Sequence, residues 1–371
     1  MITPNRPDLA RIWPQRAVPT PIHTEHRAQI IGLVKNRLSG ISLSRHAYAD
    51  VLRTIYPDLR DSTTQDAQQI DCPLNVWAAR PLTPLVLDQL GQRKFSGLNV
   101  WCLVLEVTTL PERTVEAAGN ADQIWVPTTF VRDVCLANGL PASKLHVVPY
   151  YLPGPQRPRL LPERGQPWTA VVSWDGASNL NRKFVLGSIE AFKAAWPRSK
   201  RVALRLKTRD LREEDRTAVL DAIGGDRRIW LDERTVNSVD EIFDGAGALL
   251  HLHRAEGYGR HIVEAMQRRC PVICTDYSGP MDWLTPLNHY SVLHRMTDCQ
   301  VAEFRYPQGG QWADPDLDHA AAQLRQAFQY TGTRSEQVML DQAQARVRVH
   351  ASQEISRSAM RCALRVAKLT P

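Results

Sequence analysis

Glu256 and Glu264 stand eight positions apart in the passage LHLHRAEGYGRHIVEAMQRRCPVICTDYSGPMDWL, Leu250 to Leu284. One carboxylate precedes a helix and the other lies about two turns into it, so the pair could reach the two ends of a ligand roughly 10 Å long. Between them Gly257 and Gly259 permit unusual φ and close approach of a ligand to the backbone. The amides that open the helix favour an anion. Phosphate and sugar suit that order of groups, and the spacing points to a nucleotide-sugar.

The elements that must position these groups can be read around them. ALLHLH (Ala248 to His253) is an apolar run of strand length, IVEAMQRR (Ile262 to Arg269) has helical spacing, and a second apolar run, Val272 to Thr275, follows at once. Strand, glycine loop, helix and strand make the βαβ unit of a parallel sheet, in which ligands sit beyond the carboxyl ends of the strands. AQIIGLV (Ala28 to Val34) predicts a first strand, followed by a loop and a helix from about Ser44, with Arg37, Gly40, Arg45 and His46 near the loop. That loop reads either as a second anion-facing end or as a surface turn with solvated charges. LNVWCLVLEVTTLP predicts another buried strand, with Glu106 just past it. ADQIWVPTTFVRDVCLANGL predicts a strand, a helix capped by Thr128 or Thr129, and a stop at Gly139. Gly40, His46 and Glu106 are candidates for contacts on the acceptor side, against the plainer reading of structural hydrogen bonding.

Six prolines between Pro149 and Pro167 mark a linker. The expected organisation is an N-terminal arm over 1–27, a Rossmann-like domain over 28–150, a linker over 151–167, a second Rossmann-like domain over 168–340, and a helical segment over 341–371 that packs back on the first domain. The second half opens with a strand in WTAVVSW, a helix in NRKFVLGSIEAFKAAWP and a strand in RVALRLK.

With 371 residues, 43% hydrophobic and 23% charged, the composition is that of an ordinary globular protein. No run approaches the roughly 20 apolar residues of a membrane span, and no apolar signal core opens the chain, so the expected location is the cytoplasm or the inner face of the cell membrane. Seven cysteines show no metal-ligand spacing. A net charge of +7 suits a phosphorylated ligand or an anionic membrane surface. Nucleic acid is not expected, because no helix-turn-helix, zinc-finger or RNP-like pattern occurs. Arg346 to Leu369 predicts a basic helix that either touches anionic lipid or closes the fold with a solvated basic face.

The motifs LHRAEGYGR (Leu252 to Arg260), EAM (Glu264 to Met266), PVICTDYSGPMDW (Pro271 to Trp283) and WADPD (Trp312 to Asp316), with IWVPTTFVRDV and NRKFVLGSIEAF in the same order, resemble a known group. It is the retaining glycosyltransferases of the GT-B fold, close to glycosyltransferase family 4, in a bacterial branch found with polysaccharide synthesis. The resemblance implies an α/β fold of two Rossmann-like domains facing across a cleft. It also implies transfer of a hexose from a nucleotide-diphosphate sugar, GDP-mannose or a UDP-sugar, to a glycan or lipid-linked glycan acceptor, with no obligatory metal and no other cofactor.

Carried over by position, the resemblance places Glu256 against the donor sugar hydroxyls and Glu264 against the ribose hydroxyls. Lys183 with Arg182 would hold the diphosphate, Lys207 would be a second phosphate contact, and the amides of Gly257, Tyr258, Gly259 and Arg260 would meet sugar or phosphate. Fixed cations beside the leaving diphosphate stabilise the transition state more than the ground state. Departures from the branch are Ala255, Arg260, Pro280 and the pair Tyr150-Tyr151, which bear on donor choice and hinge geometry. Asp314 and Asp316 imitate a metal-binding DxD, but their place ahead of a helix favours dipole compensation. His251 and His253, with no third ligand in sight, are expected to be packed. Two other readings share the fold: a sugar-nucleotide epimerase or hydrolase, and a catalytically altered module that binds nucleotide-sugar or glycan.

Overall fold

Strands buried on both faces build two parallel sheets, each of six strands, in a computed structural model. The structure describes residues 22–23, 27–32, 40–63, 70–78, 97–299 and 309–367. In the first half, β1 (Ile22–His23), β2 (Ala28–Gly32), α1 (Gly40–Arg53), β3 (Arg60–Thr63), β4 (Ile70–Asp71), β5 (Leu74–Trp77) and β6 (Leu98–Cys102) are followed by α2 (Glu112–Gly119), β7 (Gln123–Val126), α3 (Thr129–Ala137) and β8 (Leu145–Val147). The sheet order is β3-β2-β5-β6-β7-β8, and β1 pairs with β4. Every residue of β5 and β7 is buried, as a sheet covered by helices on both faces requires. Trp77, Trp101 and Trp125 are fully buried on neighbouring strands. Inside this sheet Gln29 donates to Asn75 Oδ1 at 2.6 Å and accepts from Ser62 at 3.0 Å, so its buried amide is satisfied.

The second half contains β9 (Trp168–Ser173), α4 (Leu180–Lys183), α5 (Val185–Ala195), β10 (Val202–Lys207), α6 (Glu213–Ile223), β11 (Ile229–Asp232), α7 (Asp240–Phe243) and β12 (Ala246–His251). After these come α8 (Arg260–Gln267), β13 (Val272–Thr275), β14 (Tyr290–Val292), β15 (His294–Asp298), β16 (Gln311–Pro315), α9 (Leu317–Tyr330), α10 (Arg334–His350) and α11 (Gln353–Val366). The sheet order is β11-β10-β9-β12-β13-β14, with β15 and β16 as a separate antiparallel pair. Residues 148–167 connect the two sheets without helix or strand. Leu152 in this connection is tied to both sides: its N–H donates to Ala351 O at 3.1 Å, and its carbonyl accepts from Gln267 Nε2 at 2.9 Å. α11 returns to the first sheet, where Gln123 Nε2 donates to Ala363 O at 2.6 Å.

Several expectations are corrected by local geometry. The first helix begins at Gly40, four residues before Ser44. Arg37 and most of the expected N-terminal arm lie outside the described residues. Arg45 does not face a ligand loop: it is 2% exposed, pairs with Asp61 and runs beneath Gly32, where an added Cβ would lie 2.5 Å from its Nη1. The helix expected through NRKFVLGSIEAFKAAWP is broken after Lys183, because Phe184 takes the left-handed conformation at φ 52°. The basic helix expected from Arg346 to Leu369 is two helices, divided at Ala351 and Ser352; the Ser352 hydroxyl caps α11 by accepting from Ile355 N–H. The strand expected over 248–253 runs Ala246–His251. Thr128, rather than Thr129, caps α3.

Candidate functional site

The loops at the carboxyl ends of the two sheets meet. Thr128 Oγ1, after β7, donates to Gly257 O at 2.9 Å, and the Thr129 N–H donates to Asp282 Oδ2 at 2.8 Å. Gly257 is a glycine for this approach and not for its φ: a Cβ there would lie 2.3 Å from Val104 Cγ2 and 2.7 Å from Leu105 O. Gly259 does need its conformational freedom, with φ 80° at the N-cap of α8. Pro280, one of the departures, lies against that glycine, 2.8 Å from where a Cβ would be. Ala255 is fully buried in a small cluster with Val107, Cys299 and Trp312 that joins the two halves.

Glu256 sits at the centre of this junction. Its N–H donates to Ser278 Oγ at 2.8 Å and its carbonyl accepts from Gly279 N–H at 2.9 Å, which fixes the backbone from the loop after β13. The carboxylate meets Lys183 Nζ, Arg182 Nη1 at 3.2 Å and His251 Nε2 at 3.5 Å, and all three contacts fall on Oε1. Among the described residues Oε2 has no protein partner. Burial alone would raise the pKa of Glu256, but the charges of Lys183 and Arg182 outweigh it and hold the group well below the usual carboxylate range. One oxygen is thus consumed by cations while the other is an open acceptor on a permanently charged group.

Glu264 repeats the arrangement one helix turn past Arg260, whose Nη2 donates to its Oε1 at 3.2 Å; Oε2 again has no protein partner among the described residues. Arg260 therefore turns inward over α8 rather than out to solvent. The N–H groups of Gly257, Tyr258 and Gly259 are likewise not taken up by any described protein group. The chemistry on offer is two carboxylate acceptors, two flanking cations and a set of amide donors.

The cations are placed by α4. Asn179 caps it by accepting from the Arg182 N–H at 2.7 Å, and Phe184 ends it, so Arg182 and Lys183 lie on an isolated turn. Arg254, which sequence reasoning passed over, locks this turn. Its N–H donates to Arg182 O at 2.8 Å, its guanidinium lies 4.8 Å from the Phe184 ring and 5.2 Å from the Trp312 ring, and it donates to Asp314 Oδ1 at 2.9 Å. The only sequence signal was that Arg254 and Asp314 each fall inside a motif. Asp314 also pairs with Arg295 at 3.0 Å, and Asp316 caps α9 by accepting from His319 N–H at 2.9 Å.

Other expected site residues lie elsewhere. The Lys207 ammonium is taken up by backbone: it donates to the carbonyls of Thr208, Asp232 and Arg234, beside the Asp232 carboxylate at 3.8 Å. The Tyr258 side chain is turned into the core, where it packs on Tyr150 and Trp283 and donates to Tyr150 O at 3.2 Å, so only its backbone faces the junction. Glu106 pairs with the cation that also meets Glu256, 3.2 Å from Arg182 Nη2. Gly40 opens α1 and His46 is half-buried on it; neither is joined to the carboxylates. A groove of about 670 Å³ at the outer side of β14, lined by Leu287, Tyr330 and Val338 among others, involves none of these residues.

His251 and His253 are buried behind Glu256 and the half-buried His261 meets His251 edge-on, with ring centroids 5.2 Å (His251 to His253) and 6.5 Å (His251 to His261) apart. Burial pushes all three pKa values down, that of His251 to about 3. Because the folded values lie below the unfolded ones, the unfolded chain binds more protons at acid pH, and stability is lost as pH falls below about 6.5. Chemical denaturation is expected to show about 1.4 kcal/mol less stability at pH 5.5 than at pH 7.5 from His251 alone. An acid limb unchanged in His251→Asn would contradict this.

Residues 187–293 match the family described as Glycosyl transferases group 1, a span that holds both carboxylates. No curated protein matches the chain in sequence. Among solved structures, Anabaena HepE in complex with UDP and glucose is similar with a TM-score of 0.66 at 13% identity, over 92% of this chain and 100% of that one. A glycosyltransferase from Rickettsia africae aligns with a TM-score of 0.63 at 12% identity, over 93% of this chain and 100% of that one. The apo form of the lipopolysaccharide outer core galactosyltransferase WaaB aligns with a TM-score of 0.57 at 13% identity, over 92% and 99%. The fold is that of GT-B glycosyltransferases, two Rossmann-like domains facing across a cleft, and the matched segment supports a glycosyltransferase on that fold.

Proposed function

We propose that this chain is a retaining glycosyltransferase that moves a hexose from GDP-mannose or a UDP-sugar to a glycan or lipid-linked glycan in bacterial surface polysaccharide synthesis. The observation that carries the reading is Glu256, with Oε1 held by Lys183 and Arg182 and Oε2 open beside free loop amides. The solved complexes of HepE with UDP and glucose, and of a pneumococcal O-GlcNAc transferase with UDP and GlcNAc, support the donor class.

In this reading Glu256 Oε2 accepts from the donor sugar's hydroxyls and Glu264 Oε2 from the ribose diol, each suited to a hydroxyl donor. Lys183 and Arg182 lie beside the diphosphate. The bond from the anomeric carbon to the phosphate oxygen breaks as the acceptor oxygen attacks from the same face, and the acceptor's proton passes to the departing phosphate. The growing negative charge is met by cations already in place, which lowers the barrier without reorganisation. No obligatory divalent ion belongs to the proposal, because two cations already serve the leaving group. The meeting of the two domains excludes water that would hydrolyse the donor.

Product analysis tests the reading. With a donor and a glycan acceptor, nuclear magnetic resonance is expected to show a linkage of the donor's own anomeric configuration, at a rate unaffected by chelator. An inverted linkage would overturn the retaining reading, and release of free sugar or an isomer without acceptor would favour a hydrolase or epimerase. Peripheral membrane contact belongs to the same proposal and is supported by α11, which presents exposed Arg361, Arg365 and Val366. No helix among the described residues is long and apolar enough to cross a membrane. Cosedimentation with phosphatidylglycerol vesicles is expected to fall several-fold in Arg361→Glu/Arg365→Glu, since each basic residue near an anionic surface contributes about 1 kcal/mol. Equal pelleting of the two proteins would remove this contact from the account.

A further inference from the structure

We infer that Glu106 is a positioning residue that couples closure of the two domains to the orientation of Arg182; this rests on the transferase reading of the site. Arg182 is 5% exposed and its guanidinium is divided between the domains. Nη1 donates to Ala255 O at 2.9 Å and to Glu256 Oε1 at 3.2 Å, both in the second domain, whereas Nη2 meets Glu106 Oε1 at 3.2 Å from the first. A planar guanidinium held at both ends has one orientation, and loss of either end frees it to turn.

The backbone around Glu106 shows why the contact depends on closure. Val104 and Leu105, immediately before it, press on the Cα of Gly257, and Thr128 grips the Gly257 carbonyl from the same side. The first domain thus holds the Glu256–Gly257 backbone and, through Glu106, the cation that holds the Glu256 carboxylate. If the domains part, Glu106 leaves with the first, and Arg182 loses this contact while it keeps Ala255 O and Glu256 in the second. Lys183 and Glu264 lie wholly in the second domain, so donor binding does not require Glu106 while the transfer step does.

Two readouts test this. Fluorophores at Leu136→Cys and Leu220→Cys, exposed positions on different domains, report closure in a chain carrying Cys362→Ser. Without any ligand, Glu106→Gln is expected to shift the population from high to low energy transfer, Arg182→Gln to do the same, and the double variant to add little. Independent, additive shifts, or no shift in Glu106→Gln, would overturn the coupling. With UDP-glucose or GDP-mannose as donor, Glu106→Gln is expected to lower kcat about tenfold and leave the donor Kd within about threefold, the pattern of a closure step. Equal losses in both would make Glu106 a donor contact instead. If the parent protein transfers sugar from no donor, the function reading fails, while the ligand-free cycle still decides the role of Glu106.

Discussion

Turnover in the Glu256→Gln protein is expected to fall by about 10³-fold, and its thermal stability to fall with it. The two losses have different causes. Glutamine removes the charge opposite Lys183 and Arg182, leaving Lys183, with a 12% exposed side chain, without an anion; an orphaned buried charge costs about 3–5 kcal/mol. In the proposed reading the catalytic loss comes from the open Oε2, which would accept from the donor sugar. Glu256→Gln/Lys183→Met separates them, because removal of both charges restores much of the stability while turnover falls well below that of Lys183→Met alone. Melting curves and initial rates on the parent, the two single variants and the double variant check this. Turnover in the double variant equal to that of Lys183→Met alone would assign Glu256 a purely structural role.

Lys183→Ala is expected to lower kcat by about 10²-fold while changing donor affinity less, because the cation matters most once charge has moved onto the leaving diphosphate. Arg182 still neutralises Glu256 in this variant, so the fold is preserved better than in Glu256→Gln. Lys183→Arg keeps the charge but not the compact ammonium that fits against Oε1, and partial recovery is expected. Single-turnover rates measured at saturating donor separate the two steps. A large loss of donor affinity with unchanged kcat would place Lys183 in ground-state binding only.

Most of the central βαβ passage was legible because a parallel strand covered on both faces leaves an apolar run and the helix beside it leaves a 3.6-residue period. Val272 to Thr275 was read at its true bounds, and the glycine loop at its true place. Strands without such a pattern were not read: β3 is Arg-Asp-Ser-Thr, and the β15–β16 pair is largely polar. The break at Phe184 was hidden too, since nothing in a phenylalanine announces a positive φ; the surrounding fold imposes it.

Within the candidate site, the pairing of Glu256 with Arg182 and Lys183 joined residues that sequence motifs had already singled out. What could not be read was direction. Lys207 turns into a cage of carbonyls, Tyr258 turns into an aromatic core, and Glu106 crosses to a cation 76 positions away in the chain. Arg254 and Asp314, 60 positions apart, form the clamp behind the cations. Each depends on how two loops meet at a sheet edge, which local spacing does not encode.

On the proposed reading Glu256, Glu264, Lys183 and Arg182 form a nucleotide-sugar site. Calorimetric titration of the protein with guanine, uracil and thymine nucleotide-sugars, in the presence of a chelator, tests it most directly. Binding of one donor is expected, weakened about 10-fold or more in Glu264→Ala, where the ribose diol loses a charged acceptor. Binding that appears only when manganese or magnesium is restored, or that survives Glu264→Ala and Lys183→Ala together unchanged, would contradict it.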